Sequence, residues 1–331
     1  MNPRELGEFG LIEAIRRRAA ARDPRGSSDW RVTIGDDAAV LTPRRGEELV
    51  FTTDALVEDV HFRWRTSDPR SVGHKALAVN LSDVGAMGAR PVGFLLTLGL
   101  PARVTGAQLD GFFTGLLALA RASHCPLVGG DITRSREFVA NITAIGAVAR
   151  GRALLRSAAR PGDRVLVTGA LGGAAAGLRL LAGRGARTAA ERALARRQNV
   201  PRPPWRAGER LVRLRLSRAA IDVSDGLAQD LGHVLRASGV GARIALERLP
   251  VARGATAAEA LGGGEDYELL FTVRPGAPSA AVLARRLGCR VSEIGVITAR
   301  PGLVLTRSGR PVQMGTRGFQ HFKASVKGSE K

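Results

Sequence analysis

Acidic residues in this chain recur in one local setting: an apolar run, then a small or hydroxylated residue, then aspartate. The setting appears at Val50-Phe51-Thr52-Thr53-Asp54, Ala78-Val79-Asn80-Leu81-Ser82-Asp83, Leu127-Val128-Gly129-Gly130-Asp131 and Ile221-Asp222-Val223-Ser224-Asp225. Ile34-Gly35-Asp36-Asp37 adds a carboxylate pair after a small residue. Each pattern is expected to place a short carboxylate where a strand or helix ends. Magnesium takes hard oxygen ligands, typically one or two carboxylates plus substrate phosphates, and the short aspartate stem fixes such an ion closely. Neighbouring Thr52, Thr53 and Ser224 add hydroxyl or carbonyl oxygens. If these sites converge, they would hold several Mg²⁺ ions between two polyanions and neutralise the charge that develops during phosphoryl transfer. Any one of them alone reads as a turn or an N-cap, and Ser82-Asp83 would serve to cap a helix over 84–88. Repetition is what carries the metal reading.

Other routes to phosphate chemistry are missing from the sequence. There is no G-x-x-x-x-G-K-[ST] loop, no H-R-D or D-F-G set, and no H-E-x-x-H. The glycine-rich turn at 169–173 would either cradle a phosphate at a helix N-terminus or make a tight strand-to-helix turn.

The elements that must position these carboxylates are α/β in character. Residues 5–22 carry a helical apolar pattern (Leu6, Phe9, Ile12, Ile15, Ala19), which Asp23-Pro24-Arg25-Gly26 breaks. Strand-like runs follow at 49–53, 92–100 and 138–148, with amphipathic helices at 75–81 and 109–122 between them. A second unit begins near Gly151, with a buried strand at 164–168 and a helix at 174–181. Residues 183–209, rich in Arg, Ala and Pro, read as surface helix and loop. Strand and helix signals resume at 219–223, 227–238, 243–246, 267–273, 282–287 and 291–297. This places a boundary near 150–160 and divides the chain into residues 1–150 and 151–331.

The 331 residues, 44% of them hydrophobic, are enough for two cores. No run of about 18 uncharged apolar residues marks a spanning helix, and the N-terminus reads as a helix entry, not a signal peptide. Cys125 and Cys289 are too few for a disulfide framework, which points to a reducing cytoplasm. A net charge of +20 raises the possibility of nucleic-acid binding. Yet the charge is spread along the whole chain as arginine, lysine occurring only at 75, 323, 327 and 331, and aromatics at 4% leave few stacking platforms for bases. Neither a nucleic acid nor a membrane is an expected partner.

Taken together, these segments resemble the bacterial thiamine-monophosphate kinase family, within the ATP-binding superfamily that includes aminoimidazole ribonucleotide synthetase. The resemblance runs from Gly7-Glu8-Phe9 through the aspartate segments to Val60-His61-Phe62, Gly263-Gly264-Glu265-Asp266-Tyr267-Glu268 and Gly318-Phe319-Gln320-His321-Phe322. The aspartates alone mark the superfamily; D-x-x-x-x-x-x-H-F at 54–62 together with GGEDYE narrows it to the kinases. A selenophosphate synthetase would carry a reactive cysteine near its N-terminus, and the first cysteine here is Cys125. The resemblance implies a two-domain fold and a homodimer paired through the N-terminal domain. Strand pairing there would account for the apolar character of 75–100. The implied reaction is direct in-line transfer from ATP to thiamine phosphate. It further implies Mg²⁺ coordination by Asp37, Thr52, Thr53, Asp54, Asp83, Asp131 and Asp222, with Asp225 on a further ion. Asp54, Asp83 and Asp131 would be central to catalysis. Gly130, Asp131, Arg156 and Ser224 would contact ATP, and His61, Glu265 and Phe319 would contact thiamine phosphate.

Overall fold

The computed structural model describes residues 1, 3–22, 29–183 and 185–313. Phe319 and the rest of the Gly318–Phe322 motif lie outside the described residues.

The first half is built on a four-stranded sheet. Helix α1 (Pro3–Arg22) leads in, and strands β1 (Trp30–Val32) and β2 (Val40–Leu41) form a small antiparallel pair. Strand β3 (Glu47–Val57), helix α2 (Pro69–Ala86), strand β4 (Arg90–Leu100), helix α3 (Gly106–Ser123) and strands β5 (Leu127–Arg134) and β6 (Val139–Ala149) follow. The sheet order is β3-β6-β4-β5, antiparallel except for the β4–β5 pair. Side chains alternate across a strand. Leu56, Phe94, Leu96, Leu98, Ala140, Ile142 and Ala144 therefore line one face and join α2 and α3 in a core with Leu77, Leu81, Phe112 and Phe113. The opposite face leaves Phe51 63% exposed and Leu95 36% exposed.

The second half adds β7 (Arg164–Thr168), α4 (Gly173–Ala182), α5 (Ala189–Asn199), α6 (Trp205–Arg213), β8 (Ala220–Val223), α7 (Leu227–Ser238), β9 (Gly241–Ala245) and α8 (Ala257–Gly262). Strand β10 (Glu268–Val273), helix α9 (Ala280–Leu287) and strands β11 (Val291–Thr298), β12 (Gly302–Arg307) and β13 (Arg310–Val312) complete it. Its seven strands run β13-β12-β9-β11-β7-β10-β8, and only β9–β12 is parallel. Val165, Val167, Ile221, Val223 and Leu270 face a core with α7 and α8. Leu166, Ala220, Leu269 and Phe271 face the other way, onto α6, α9 and the end of α2.

Helix α2 is where the two halves meet. It packs on β3, β4 and β6 beneath it, on α3 beside it, and on α6, β8 and β10 of the second half. Its entry is set by Asp68, whose carboxylate accepts the Ser71 N–H, and by Pro69 in the first turn. Two crossings demand glycine. A Cβ on Gly115 would stand 1.8 Å from the Arg70 carbonyl oxygen, and one on Gly208 would stand 1.8 Å from that of Gly85. The apolar character of 75–100 thus has an explanation within one chain: fourteen of the eighteen α2 residues are buried, and β4 is an interior strand.

The expectation that each aspartate terminates an element fails in three places. Asp54 and Asp131 lie inside β3 and β5, with three residues of strand beyond each. Ser82 and Asp83 lie inside α2 and cap nothing, because the helix began at Pro69. The segment 183–209, expected as surface helix and loop, contains α5 and the start of α6, with Leu194, Gln198 and Ala207 buried.

Candidate active site

Strand alternation decides which oxygens meet. In β3, Thr52 and Asp54 share the face of Leu56 and look onto α2, while Thr53 looks away. On α2, Ser82 and Asp83 are adjacent and fan out to two different strands. The Thr52 hydroxyl donates to Asp83 Oδ2 at 2.5 Å, and the Ser82 hydroxyl donates to Asp222 Oδ2 at 2.8 Å. Asp222, on the Ala220 side of β8, points at α2 and is 4% exposed. Asp225 follows in the turn before α7. Carboxylates from β3, α2, β8 and that turn thus converge across the junction of the two halves.

Burial, and for two of them the charge of neighbouring carboxylates, raises Asp222, Asp54 and Asp83. The Asp222 carboxyl is pushed up to about 8, first by burial, then by Asp83, with Asp230 and Asp54 adding to it. Asp54, an exposed residue, is raised to about 7 first by loss of water around its carboxyl and then by Asp83 and Asp225. Asp83 is also raised by burial, against the opposing pull of the Thr52 hydroxyl and the Arg156 guanidinium. Among the described residues, none of Asp54, Asp83, Asp222 and Asp225 forms an ion pair. Hard carboxylate oxygens, a hydroxyl and no protein cation between them are a donor set that suits Mg²⁺.

The turn bearing Ser224 and Asp225 is held by a residue the sequence reading passed over. Asp230 Oδ2 accepts the backbone N–H groups of Ser224, Asp225 and Gly226 at 3.0, 3.1 and 3.1 Å. Burial raises the Asp230 carboxyl to about 7 in spite of those bonds. The spacing S-D-G-x-x-x-D was the available signal: an aspartate in the first turn of α7 can reach back to the preceding loop. Ser224 also receives the Glu265 N–H on its carbonyl at 2.7 Å, which ties the GGEDYE loop to the same turn.

Each acidic group of that loop has its own partner. Glu265 meets Lys75 of α2, with Nζ to Oε1 at 2.5 Å. Asp266 accepts the N–H groups of Gly172 at 2.5 Å and Ala174 at 3.1 Å. The α4 N-terminus, which the glycine-rich turn at 169–173 offered as a phosphate cradle, is therefore filled by Asp266. Glu268, raised to about 7 mainly by burial, accepts the Thr168 hydroxyl at 2.6 Å. The phenol of Tyr267 is raised well above its usual range by burial and then by Glu265, Asp54, Asp222 and Asp83, so it stands behind the whole cluster.

The remaining sequence-derived residues are placed elsewhere. The Thr53 hydroxyl donates to the Ile142 carbonyl at 3.2 Å and receives the Thr143 hydroxyl at 3.2 Å, on the outer face of the sheet. Asp131 is exposed and in register with Thr97, Asn141 and Ala55, on that outer face. Strand β5 lies three strand spacings from β3, about 14 Å, so within one chain Asp131 does not share an ion with Asp54. Beside it, Gly130 has φ +153 and stands so close to β4 that a Cβ would be 1.9 Å from the Leu96 carbonyl oxygen. Asp37 is exposed on the connection between β1 and β2, its N–H bonded to Asp36 Oδ1 at 2.9 Å. Arg156 is exposed, in the short 3₁₀ turn Arg156–Ala158, close enough to Asp83 to act on its charge. His61 Nδ1 accepts the Val57 N–H at 3.1 Å in the turn that ends β3.

Comparison with known proteins fits this arrangement. The family model "AIR synthase related protein, N-terminal domain" matches residues 35–148, and "AIR synthase related protein, C-terminal domain" matches residues 160–308. Within that class, the thiamine-monophosphate kinase of Salmonella typhimurium is 40% identical over 331 residues, covering 96% of this chain and 98% of the relative. That of Bacillus subtilis is 34% identical, covering 96% and 100%. The crystal structure of the Stenotrophomonas maltophilia enzyme superposes with a TM-score of 0.82 at 38% identity, covering 92% of this chain and 98% of that one. The structure described as AaThiL complexed with AMPPCP and TMP superposes at 0.74 with 32% identity, covering 97% and 99%. The chain belongs to the thiamine-monophosphate kinase family.

Proposed function

We infer that this chain transfers the γ-phosphoryl group of ATP to the phosphate of thiamine monophosphate, giving ADP and thiamine diphosphate. The observation that carries the reading is the convergence of four carboxylates, from both halves of the chain, none of them in an ion pair among the described residues. Asp54, Asp83, Asp222 and Asp225, with Thr52, would hold Mg²⁺. When bound, the metal supplies charge neutralisation between the two phosphates and a template for in-line attack. An acceptor phosphate oxygen is already ionised near neutral pH, so it forms the new P–O bond without a strong general base, and the bond to the ADP bridging oxygen breaks. The work left to the protein is positioning and exclusion of competing acceptors.

On this reading Arg156, beside Asp83, directs its planar fork at a phosphate, and Ser224 contacts ATP from the turn that Asp230 holds. Gly130 and Asp131, with Asp37, belong to the nucleotide side of the site. A polyphosphate chain and its ions, not a shared ligand, would link them to the four-carboxylate cluster. Asp131 keeps its proposed place in catalysis through that link. Glu265 and His61 would meet thiamine monophosphate, as would Phe319. We also propose division into residues 1–150 and 151–331, and a homodimer through the outer face of the four-stranded sheet, where Phe51 and Leu95 are exposed. The free thiols Cys125 and Cys289 fit a cytoplasmic enzyme; no helix among the described residues is long and apolar enough to cross a membrane.

ADP release measured with thiamine, thiamine monophosphate or formylglycinamidine ribonucleotide, each with and without Mg²⁺, tests the assignment. Turnover is expected with thiamine monophosphate and Mg²⁺ alone. Equal turnover with thiamine would contradict the requirement for a phosphate acceptor.

A further inference from the structure

The segment around the end of α5 carries no motif, yet it reaches into the site. Asn199 Nδ2 donates to the Thr66 carbonyl at 2.7 Å, and the Ser67 hydroxyl donates to Asn199 Oδ1 at 3.1 Å. His74 Nε2 lies 2.7 Å from the Pro201 carbonyl oxygen. Between these contacts, Gln198 is 4% exposed and its amide donates to Glu265 Oε2. Lys75, 3% exposed, reaches Glu265 Oε1 from α2. Both oxygens of Glu265 are thus held, each by a different element. Glu265 itself sits at φ +67, a left-handed conformation that strains a non-glycine residue. Its side chain remains 27% exposed and borders the carboxylate cluster through Tyr267.

A staple that only joined the two halves would not need this chemistry. Burying a lysine–glutamate pair gives little net stability compared with apolar packing. Gln198 Oε1 is buried without a hydrogen-bond partner among the described residues, an unfavourable state for a polar atom. Strained backbone, a buried ion pair and an unsatisfied amide collected on one carboxylate are the pattern of a preorganised binding group.

We propose that Lys75 and Gln198 are positioning residues for the acceptor: they fix Glu265 in one orientation and offset its charge, so that it receives the nitrogen-bearing rings of thiamine monophosphate without repelling the phosphate. The proposal rests on the kinase reading above. Its test is steady-state kinetics of the full chain with Lys75→Met, Gln198→Met, Glu265→Gln and the Lys75→Met/Glu265→Gln pair. KM for thiamine monophosphate is expected to rise about tenfold or more in each single variant, with KM for ATP within about twofold of wild type. The double variant is expected to be no worse than Glu265→Gln alone, because the partner is already lost. Unchanged acceptor KM in Lys75→Met and Gln198→Met, a parallel rise in KM for ATP, or additive losses in the pair would overturn it. If Lys75→Met does not fold, Gln198→Met decides alone, since it removes only an amide. A wild-type chain inactive on thiamine monophosphate would overturn the kinase reading; an active wild type with unmoved variants overturns the clamp only.

Discussion

Asp54→Asn is expected to lower turnover by about three orders of magnitude or more while leaving the chain folded. Asp54 is exposed, so its replacement opens no hole in the core, and the amide is nearly isosteric. What changes is charge. Asp54 is one of four carboxylates that form no ion pair among the described residues, and their negative field would be the means of recruiting cations to two phosphates that otherwise repel each other. Removing that repulsion should also stabilise the metal-free chain. The informative result is therefore a pair: activity nearly abolished, and a melting temperature at pH 8, in chelator, equal to or above that of wild type. Near-normal activity would sink the metal assignment, and a collapsed melting temperature would mean Asp54 is structural.

The metal-free protein is expected to lose stability as pH rises from about 4 to about 8. The sign follows from the raised carboxyls. Asp222 titrates near 8 and Asp54 near 7 in the folded chain, against an ordinary value of 3.8. Between those values the folded state holds protons that the unfolded state has released. Unfolding therefore releases protons, and stability falls with increasing pH until the folded-state values are passed. Asp222, buried, should contribute on the order of 2 kcal/mol or more; Asp54, open to water at its tip, contributes less. Melting curves in chelator across that range check it, and Asp222→Asn should flatten the slope. Saturating Mg²⁺ with ATP should restore stability at pH 8, because ions bind the deprotonated cluster.

Much of this arrangement was legible in the residues. The recurrent apolar-small-aspartate pattern marked Asp54, Asp83, Asp222 and Asp225, and these do converge. Where they sit was not legible, because periodicity reads the apolar run and not the length of the element around it. The Ser82-Asp83 pair looked like a cap because the helix start, Asp68-Pro69, lies fourteen residues upstream. Asp131 and Thr53 matched the pattern but point to the other face of the sheet, a consequence of strand alternation fixed only once the β3–β6–β4–β5 register is known. Helix was expected within 183–209, but the buried side of α5 was hidden by its composition: arginine and alanine carry little amphipathic signal, and its buried Gln198 looks like any surface residue. Lys75 had a signal that went unused, as the one lysine before position 323, set at the head of the uncharged run 76–82.

The central claim is that the converging carboxylates form the cation site of a phosphoryl-transfer enzyme, and proton release on metal binding tests it most directly. Calorimetric titration of Mg²⁺ into the chain with a non-hydrolysable ATP analogue, at pH 7 in two buffers of different ionisation enthalpy, counts the protons displaced. Binding should expel protons from the Asp54, Asp83 and Asp222 cluster, and Asp222→Asn should reduce the number. Mg²⁺ binding with no proton release, or with release unchanged in Asp222→Asn, would place the ions elsewhere and contradict the account.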